Sequence, residues 1–191
     1  MSTQPLRLLG ISGSLRAGSF NTAILHSLAE AVDQEAKMLV YPLNDIPLYN
    51  SDHDHTPPAA VQDFRQAIAY ADGIILATPE YNYGMSGVLK NALDWASRPY
   101  GSASLKGKPT LTLSSSPAAT GGVRAQAQLT ETLMGIGAYI TIRPQIVISS
   151  AHERVKDGRL VDTDTLDFML EAVRHLIANI EERQDNLAKV A

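Results

Sequence analysis

Apolar residues fall along this chain in two patterns: short uninterrupted runs, and stripes spaced three and four apart. The runs are Leu6-Arg7-Leu8-Leu9-Gly10-Ile11-Ser12, Met38-Leu39-Val40-Tyr41, Gly73-Ile74-Ile75-Leu76-Ala77-Thr78, Thr110-Leu111-Thr112-Leu113-Ser114 and Tyr139-Ile140-Thr141-Ile142. A run that is apolar on both sides, as at Gly73 to Thr78, suits a parallel strand covered from two faces. The stripes are Ile24, Leu28, Ala31 and Val32; Val61, Phe64 and Ile68; Leu129, Leu133 and Met134; and Leu166, Met169, Leu170, Val173, Ile177 and Ile180. Their spacing predicts amphipathic helices. A further helix, Ser86 to about Ser97, is apolar almost all round, and Leu43 to Pro58 carries Pro47, Pro57 and Pro58 without a helical period, so it reads as a long loop. Strand and helix alternate five times, which predicts an α/β, doubly wound, five-stranded parallel sheet with right-handed crossovers and helices on both faces. With no repeat or linker, residues 1–191 are expected to form one domain.

Composition narrows the function classes. The 191 residues include 16 basic and 20 acidic side chains, a formal net charge of −4, and the basic residues are scattered. That leaves no electrostatic footprint for nucleic acid or an anionic membrane. No run approaches the roughly 20 apolar residues of a membrane span, and the first residues lack a signal-peptide pattern. A cytoplasmic protein with neither nucleic-acid nor membrane partners is expected. Cysteine is absent, so any redox chemistry must come from a bound cofactor.

Between the first strand and first helix lies Gly13-Ser14-Leu15-Arg16-Ala17-Gly18-Ser19-Phe20-Asn21. A helix start there presents unpaired N–H groups and a positive dipole end to an anion. Ser14, Ser19 and Asn21 add neutral donors, and Arg16 adds a charge-assisted fork for phosphate oxygens. The plain alternative is a strand-to-helix turn capped by Ser19. Gly13 and Gly18 have Walker A spacing, but Ser19-Phe20 stands where Lys and Ser or Thr are required. The dinucleotide fingerprint is missing too, and the second strand ends in Val40-Tyr41-Pro42 without an acid for a ribose. A monophosphate fits better than a diphosphate.

If the strand order is 2-1-3-4-5, the ligand crevice lies where the winding reverses, between the first and third strands. The third strand runs into Pro79-Glu80-Tyr81-Asn82-Tyr83-Gly84, whose aromatic residues suit a planar ring; a well-packed turn is the bland alternative. Four segments together, Gly13-Ser14-Leu15-Arg16 with Ser19 and Asn21, Ile46-Pro47-Leu48-Tyr49, Pro79 to Tyr83 continuing to Leu89-Lys90-Asn91-Ala92-Leu93-Asp94-Trp95, and Ser114-Ser115-Ser116 with Gly121-Gly122, resemble the NADPH-dependent FMN reductases over nearly the whole chain. The resemblance implies a flavodoxin-like fold, FMN as cofactor, NADPH or NADH as donor, and quinones, flavins, azo dyes or chromate as acceptors. It implies that Ser14, Arg16, Ser19 and Asn21 cradle the phosphate with Phe20 alongside. By the same resemblance, Pro79, Glu80, Tyr81, Asn82 and Tyr83 wall the ribityl chain and ring. Ser115 and Ser116 meet the ring edge, with Gly121 and Gly122 leaving room. No acid, base or nucleophile is nominated, because the flavin itself accepts hydride.

Other constellations weigh less. His53-Asp54-His55 lacks further metal ligands, and Gly84-Met85-Ser86-Gly87-Val88 misplaces the second glycine of a hydrolase elbow. The competing class is an electron-carrying flavodoxin or another binding module for a phosphorylated ligand. Finally, the breadth of the apolar surface at Val88, Leu89, Ala92, Leu93, Trp95 and Ala96 predicts a homodimer, or a homotetramer built from such pairs, as does the family resemblance. The alternative is that the loop from Leu43 to Pro58 covers this helix within one chain.

Overall fold

The computed structural model describes residues 5–190. In chain order the elements are β1 (Leu6–Ser12), α1 (Phe20–Ala31), β2 (Ala36–Tyr41), α2 (Ala59–Tyr70), β3 (Gly73–Thr78), β4 (Glu80–Tyr81), β5 (Gly84–Met85), α3 (Gly87–Ala96), β6 (Pro109–Ser115) and α4 (Val123–Ile136). They continue with β7 (Tyr139–Ile140), β8 (Ile146–Ile148), α5 (Ala151–Arg154), β9 (Val155–Lys156), β10 (Arg159–Leu160) and α6 (Thr163–Val190). The main sheet runs β2-β1-β3-β6-β7, with β8 also on β6, and every pairing is parallel. This is the flavodoxin-like order expected from the sequence, with β1 and β3 side by side at the reversal.

Alternate strand residues face opposite layers. Leu8, Ile75, Leu111 and Leu113 pack against α1 and α6 through Ile24, Leu28, Met169, Val173 and Leu176. Leu9, Ile11, Ile74 and Leu76 pack against α2, α3 and α4 through Phe64, Ile68, Leu89, Leu93, Leu129 and Leu133. At the foot of the sheet Arg7 Nε and Nη2 donate to the Asp72 carboxylate at 3.0 and 2.9 Å, which pins the start of β1 to that of β3.

Two expectations need correction. The fifth strand is not the single run Tyr139–Ile142. It is split: β7 pairs with Pro109 and Thr110, and β8 pairs with Leu113 to Ser115. Pro144, in the gap, has no N–H to extend a ladder. The short hairpins β4–β5 and β9–β10 were also not anticipated, since two-residue strands carry no periodic signal.

The second correction concerns α3. Trp95 is fully buried within one chain, so its apolar bulk does not need a partner subunit. The proline-rich loop is strapped across it. Trp95 Nε1 and Asn91 Nδ2 both donate to the Pro47 carbonyl, at 2.8 and 2.9 Å, and Tyr49 N donates to Asn91 Oδ1 at 2.7 Å. The Tyr49 ring stands edge-on to Trp95 with centroids 5.0 Å apart. Arg98 Nε donates to the Tyr49 hydroxyl, which donates to Asp54, so Asp54 serves the strap rather than a metal site with its flanking histidines. Asn91→Ala removes an acceptor and a donor of the strap at once. It should cost about 1 kcal/mol, the net scale of hydrogen bonds that are only partly shielded from water. Urea unfolding followed by circular dichroism measures this, and an unchanged midpoint would mean the strap is held by packing alone.

Candidate functional site

The crevice begins where β1 ends. Gly13 N donates to Ala77 O near the end of β3 at 2.8 Å, and Ser86 Oγ donates to Gly13 O at 2.6 Å. A Cβ on residue 13 would lie 2.9 Å from Ser86 Oγ and 3.1 Å from Leu89 Cβ, so only glycine fits. Ser86 also caps α3 by accepting from Leu89 N at 3.2 Å. One hydroxyl therefore starts a helix and clamps the loop.

Ser19 caps α1, its Oγ accepting from Thr22 N at 3.2 Å. Helix geometry leaves the N–H groups of Phe20 and Asn21 without intrahelical acceptors, at the positive end of the helix dipole. Arg16 stands above them, exposed, with its Cζ 5.0 Å from the centre of the Phe20 ring. The ion pairs of the described residues do not include it.

These residues form one wall of a cleft of about 310 Å³. Ser14, Arg16, Ser19, Phe20 and Asn21 face Pro79, Glu80 and Tyr81, with Ser115, Ser116 and Pro117 along the third side. The volume lies within the range of small-molecule sites. Two buried atoms in this wall have no partner among the described residues: Asn21 Oδ1, whose Nδ2 donates to Ser115 O, and Ser115 Oγ. Buried polar atoms are ordinarily paired, so this wall suits a ligand that brings its own hydroxyl groups. The cleft therefore offers a helix start, unpartnered polar atoms and, at its border, the exposed ring of Tyr81.

Glu80 lies in the cleft, but its carboxylate is committed elsewhere. It accepts from Arg124 N at 3.1 Å and Ala125 N at 3.4 Å, filling the cap that Gly122 cannot supply to α4, and it is ion-paired with the Arg124 guanidinium. Burial resists its ionisation, yet the Arg124 side chain and the two backbone donors outweigh that and hold the carboxyl below the ordinary range. Asn82 and Tyr83 form the tip of the β4–β5 hairpin, outside the cleft lining, with φ of 48° and 70°. For tyrosine this left-handed conformation costs on the order of 1–3 kcal/mol, a strain that the surroundings must impose.

Gly121 packs the face where a side chain would stand against the chain at β8. Its φ is 58°, and a Cβ there would lie 2.5 Å from Val147 Cγ1 and 3.0 Å from Ser149 N, so the space belongs to β8. The glycine makes the tight turn that returns the chain from Ser116 to α4. Pro117, Ser86 and Arg124 are the participants that sequence reasoning missed. Ser86 was legible as a helix cap, whereas the partners of Pro117 and Arg124 are set by folding alone.

Sheet order, reversal point and the wall of unpartnered polar atoms beside a helix start define a flavodoxin-type protein built to hold a phosphorylated cofactor. Comparison with known proteins agrees. The family model described as NADPH-dependent FMN reductase matches residues 6–153. An NAD(P)H-dependent FMN reductase of Pseudomonas aeruginosa is 40% identical over 173 residues, covering 90% of this chain and 93% of its own length. A 2-hydroxy-1,4-benzoquinone reductase of a Burkholderia species is 36% identical, covering 94% and 98%. Among solved structures, FerB, a flavoenzyme NAD(P)H:(acceptor) oxidoreductase from Paracoccus denitrificans, superposes with a TM-score of 0.83 at 32% identity, covering 93% of this chain and 98% of its own. The chain belongs to the NADPH-dependent FMN reductase family. It is an NAD(P)H-dependent, FMN-containing oxidoreductase.

The Glu80 cap makes a pH prediction. A carboxyl held below its unfolded value contributes stability above that value, about 4.3, and loses it as pH falls through the folded one. Asp72, Glu35 and Asp162 are depressed too, so the whole protein should weaken in acid. In melts from about pH 6 to pH 3, Glu80→Gln should lose less stability than the parent chain. Parallel curves would show that Glu80 carries no linked proton.

Proposed function

We propose that this enzyme holds FMN in the crevice at the carboxyl ends of β1, β3 and β6 and reduces small acceptors with NADPH or NADH. Quinones are the acceptors favoured here, with free flavins, azo dyes and chromate as further candidates. The observation that carries the site is the wall itself: Asn21 Oδ1 and Ser115 Oγ buried without partners beside a helix start and an unpaired Arg16. When bound, FMN would take hydride from the nicotinamide and deliver it to the acceptor. The protein's part is to bind and orient.

In this reading Ser14, Arg16, Ser19 and Asn21 hold the phosphate end, with Phe20 packed beneath the Arg16 guanidinium. Pro79, Glu80 and Tyr81 line the ribityl chain, with Asn82 and Tyr83 beyond them toward the ring. Ser115 and Ser116 take the opposite side, and Gly121 acts only through the turn behind them. The whole chain, residues 1–191, serves as one flavin domain. Among the described residues no helix is long and apolar enough to cross a membrane. The cytoplasm is proposed as its compartment because the reduced nicotinamides are supplied there.

The decisive experiment is to denature the purified protein and identify the released flavin by chromatography, then titrate the apoprotein with FMN. FMN should be recovered. Arg16→Ala should bind it about ten- to hundredfold more weakly, the cost of about 1.5–3 kcal/mol for losing bonds to a charged group. Release of FAD, or undiminished affinity in the variant, would overturn the assignment.

A homodimer, or a tetramer of two such pairs, is also proposed, although Trp95 no longer argues for it. Its support is the surface beside the strap: Leu48, next to the Pro47 that anchors Trp95, is 85% exposed. Twofold pairs are the commonest closed assemblies. Sedimentation equilibrium at micromolar concentration should give twice or four times 20.6 kDa. A 20.6 kDa species with full turnover would refute it.

A further inference from the structure

The β4–β5 hairpin is too short to hold its own shape. It has two residues per strand, Glu80 opposite Met85 and Tyr81 opposite Gly84. An isolated two-stranded hairpin is marginal in water even when longer. Its tip also carries consecutive left-handed residues, and the second is a tyrosine with 75% of its surface exposed. Something outside the hairpin must keep it in this conformation.

That support comes from one face of α4. Arg124 and Gln128 are four residues apart, so their side chains stand on the same side of the helix. Gln128 Oε1 accepts from Met85 N at 2.8 Å and holds the second strand. Arg124 holds the first strand and the tip together. Its Nε donates to Glu80 Oε1 at 2.7 Å, and its Cζ lies 3.9 Å from the centre of the Tyr83 ring. The guanidinium is thus bonded at its edge to a carboxylate and laid by its face on an aromatic ring, an arrangement open to arginine and not to lysine. With its charge matched by Glu80, Arg124 is poorly placed to bind a phosphate, unlike Arg16.

We propose that Arg124 is a positioning residue that presets the Pro79–Tyr83 segment before the cofactor arrives. The proposal rests on the reading of this crevice as the FMN site. A wall already in its bound shape spares the ordering cost that a mobile loop would add to binding. Arg124 then acts on cofactor affinity through Glu80 and Tyr83, without touching the cofactor.

The test uses the full-length apoprotein and two readouts: amide hydrogen exchange at residues 81–85, and FMN affinity from quenching of flavin fluorescence. In Arg124→Ala, exchange in the hairpin should rise while that of β1, β3 and β6 stays unchanged. FMN affinity should fall roughly three- to tenfold, the scale of ordering one or two side chains on binding. Arg124→Lys, which can keep the pair with Glu80 but not the flat stack on Tyr83, should fall between parent and Ala on both readouts. If the Ala variant does not fold, Lys alone decides by the same criterion. Unchanged hairpin exchange, or raised exchange with undiminished affinity, would overturn the role. Arg16→Ala keeps the two ideas apart: it should weaken FMN binding without loosening the hairpin. If Arg16→Ala binds FMN as tightly as the parent, the reading of the cofactor site fails, whatever Arg124 does to the hairpin.

Discussion

The site depends on the close contact at Gly13. There the chain leaving β1 is bonded on one side to the end of β3, through Ala77 O, and on the other to the start of α3, through Ser86 Oγ. The contact is possible because residue 13 has no side chain. It sets the path of the loop that follows and, with the Ser19 cap, the direction in which α1 begins. An anion site made of backbone donors is only as well aimed as the loop that carries it.

The sequence motifs divide into two physical roles. Ser14, Arg16, Ser19, Asn21, Ser115 and Ser116 border the crevice. Ile46-Pro47-Leu48-Tyr49 and Asn91 to Trp95, equally prominent as motifs, are bonded largely to one another and close the far side of α3. Glu80 bridges the two roles, bordering the cleft while its charge caps α4. A residue can therefore belong to a cofactor-binding motif because it holds the scaffold still, and a family resemblance alone does not separate that from contact with the ligand.

Charge is used sparingly. The chain carries a net charge of −4, and most of its strong ion pairs are local ties: Arg7 to Asp72 at the foot of the sheet, Lys90 to Asp94 along α3, Arg174 to Glu35 between α6 and the turn before β2. The exposed pairs, Lys90 to Asp94 and Arg174 to Glu35, contribute about 1 kcal/mol or less each. Arg16 is one of several basic side chains outside the ion pairs of the described residues, and what sets it apart is its place beside the start of α1 on the cleft wall.

The sequence by itself determined the layered sheet and the Ser19-capped turn between β1 and α1. Parallel strands buried on both faces must read as continuous apolar runs, and the helices covering them must carry stripes, so β1, β3, β6 and the long α6 were visible in local pattern. A Gly- and Ser-rich turn between strand and helix is equally local, which is why Ser19 as a cap could be read directly. What only the tertiary structure decided are the meetings of distant segments. Tyr49 finds Asn91 across 42 residues and so covers Trp95 without a partner chain. Glu80 finds the N-terminus of α4 across 44, and Gly121 packs against β8. The break between β7 and β8 and the hairpin at Asn82-Tyr83 likewise depend on long-range support, since strands of two or three residues have too few side chains to show a period. Periodicity reports which face of an element is buried; it carries no record of what does the burying.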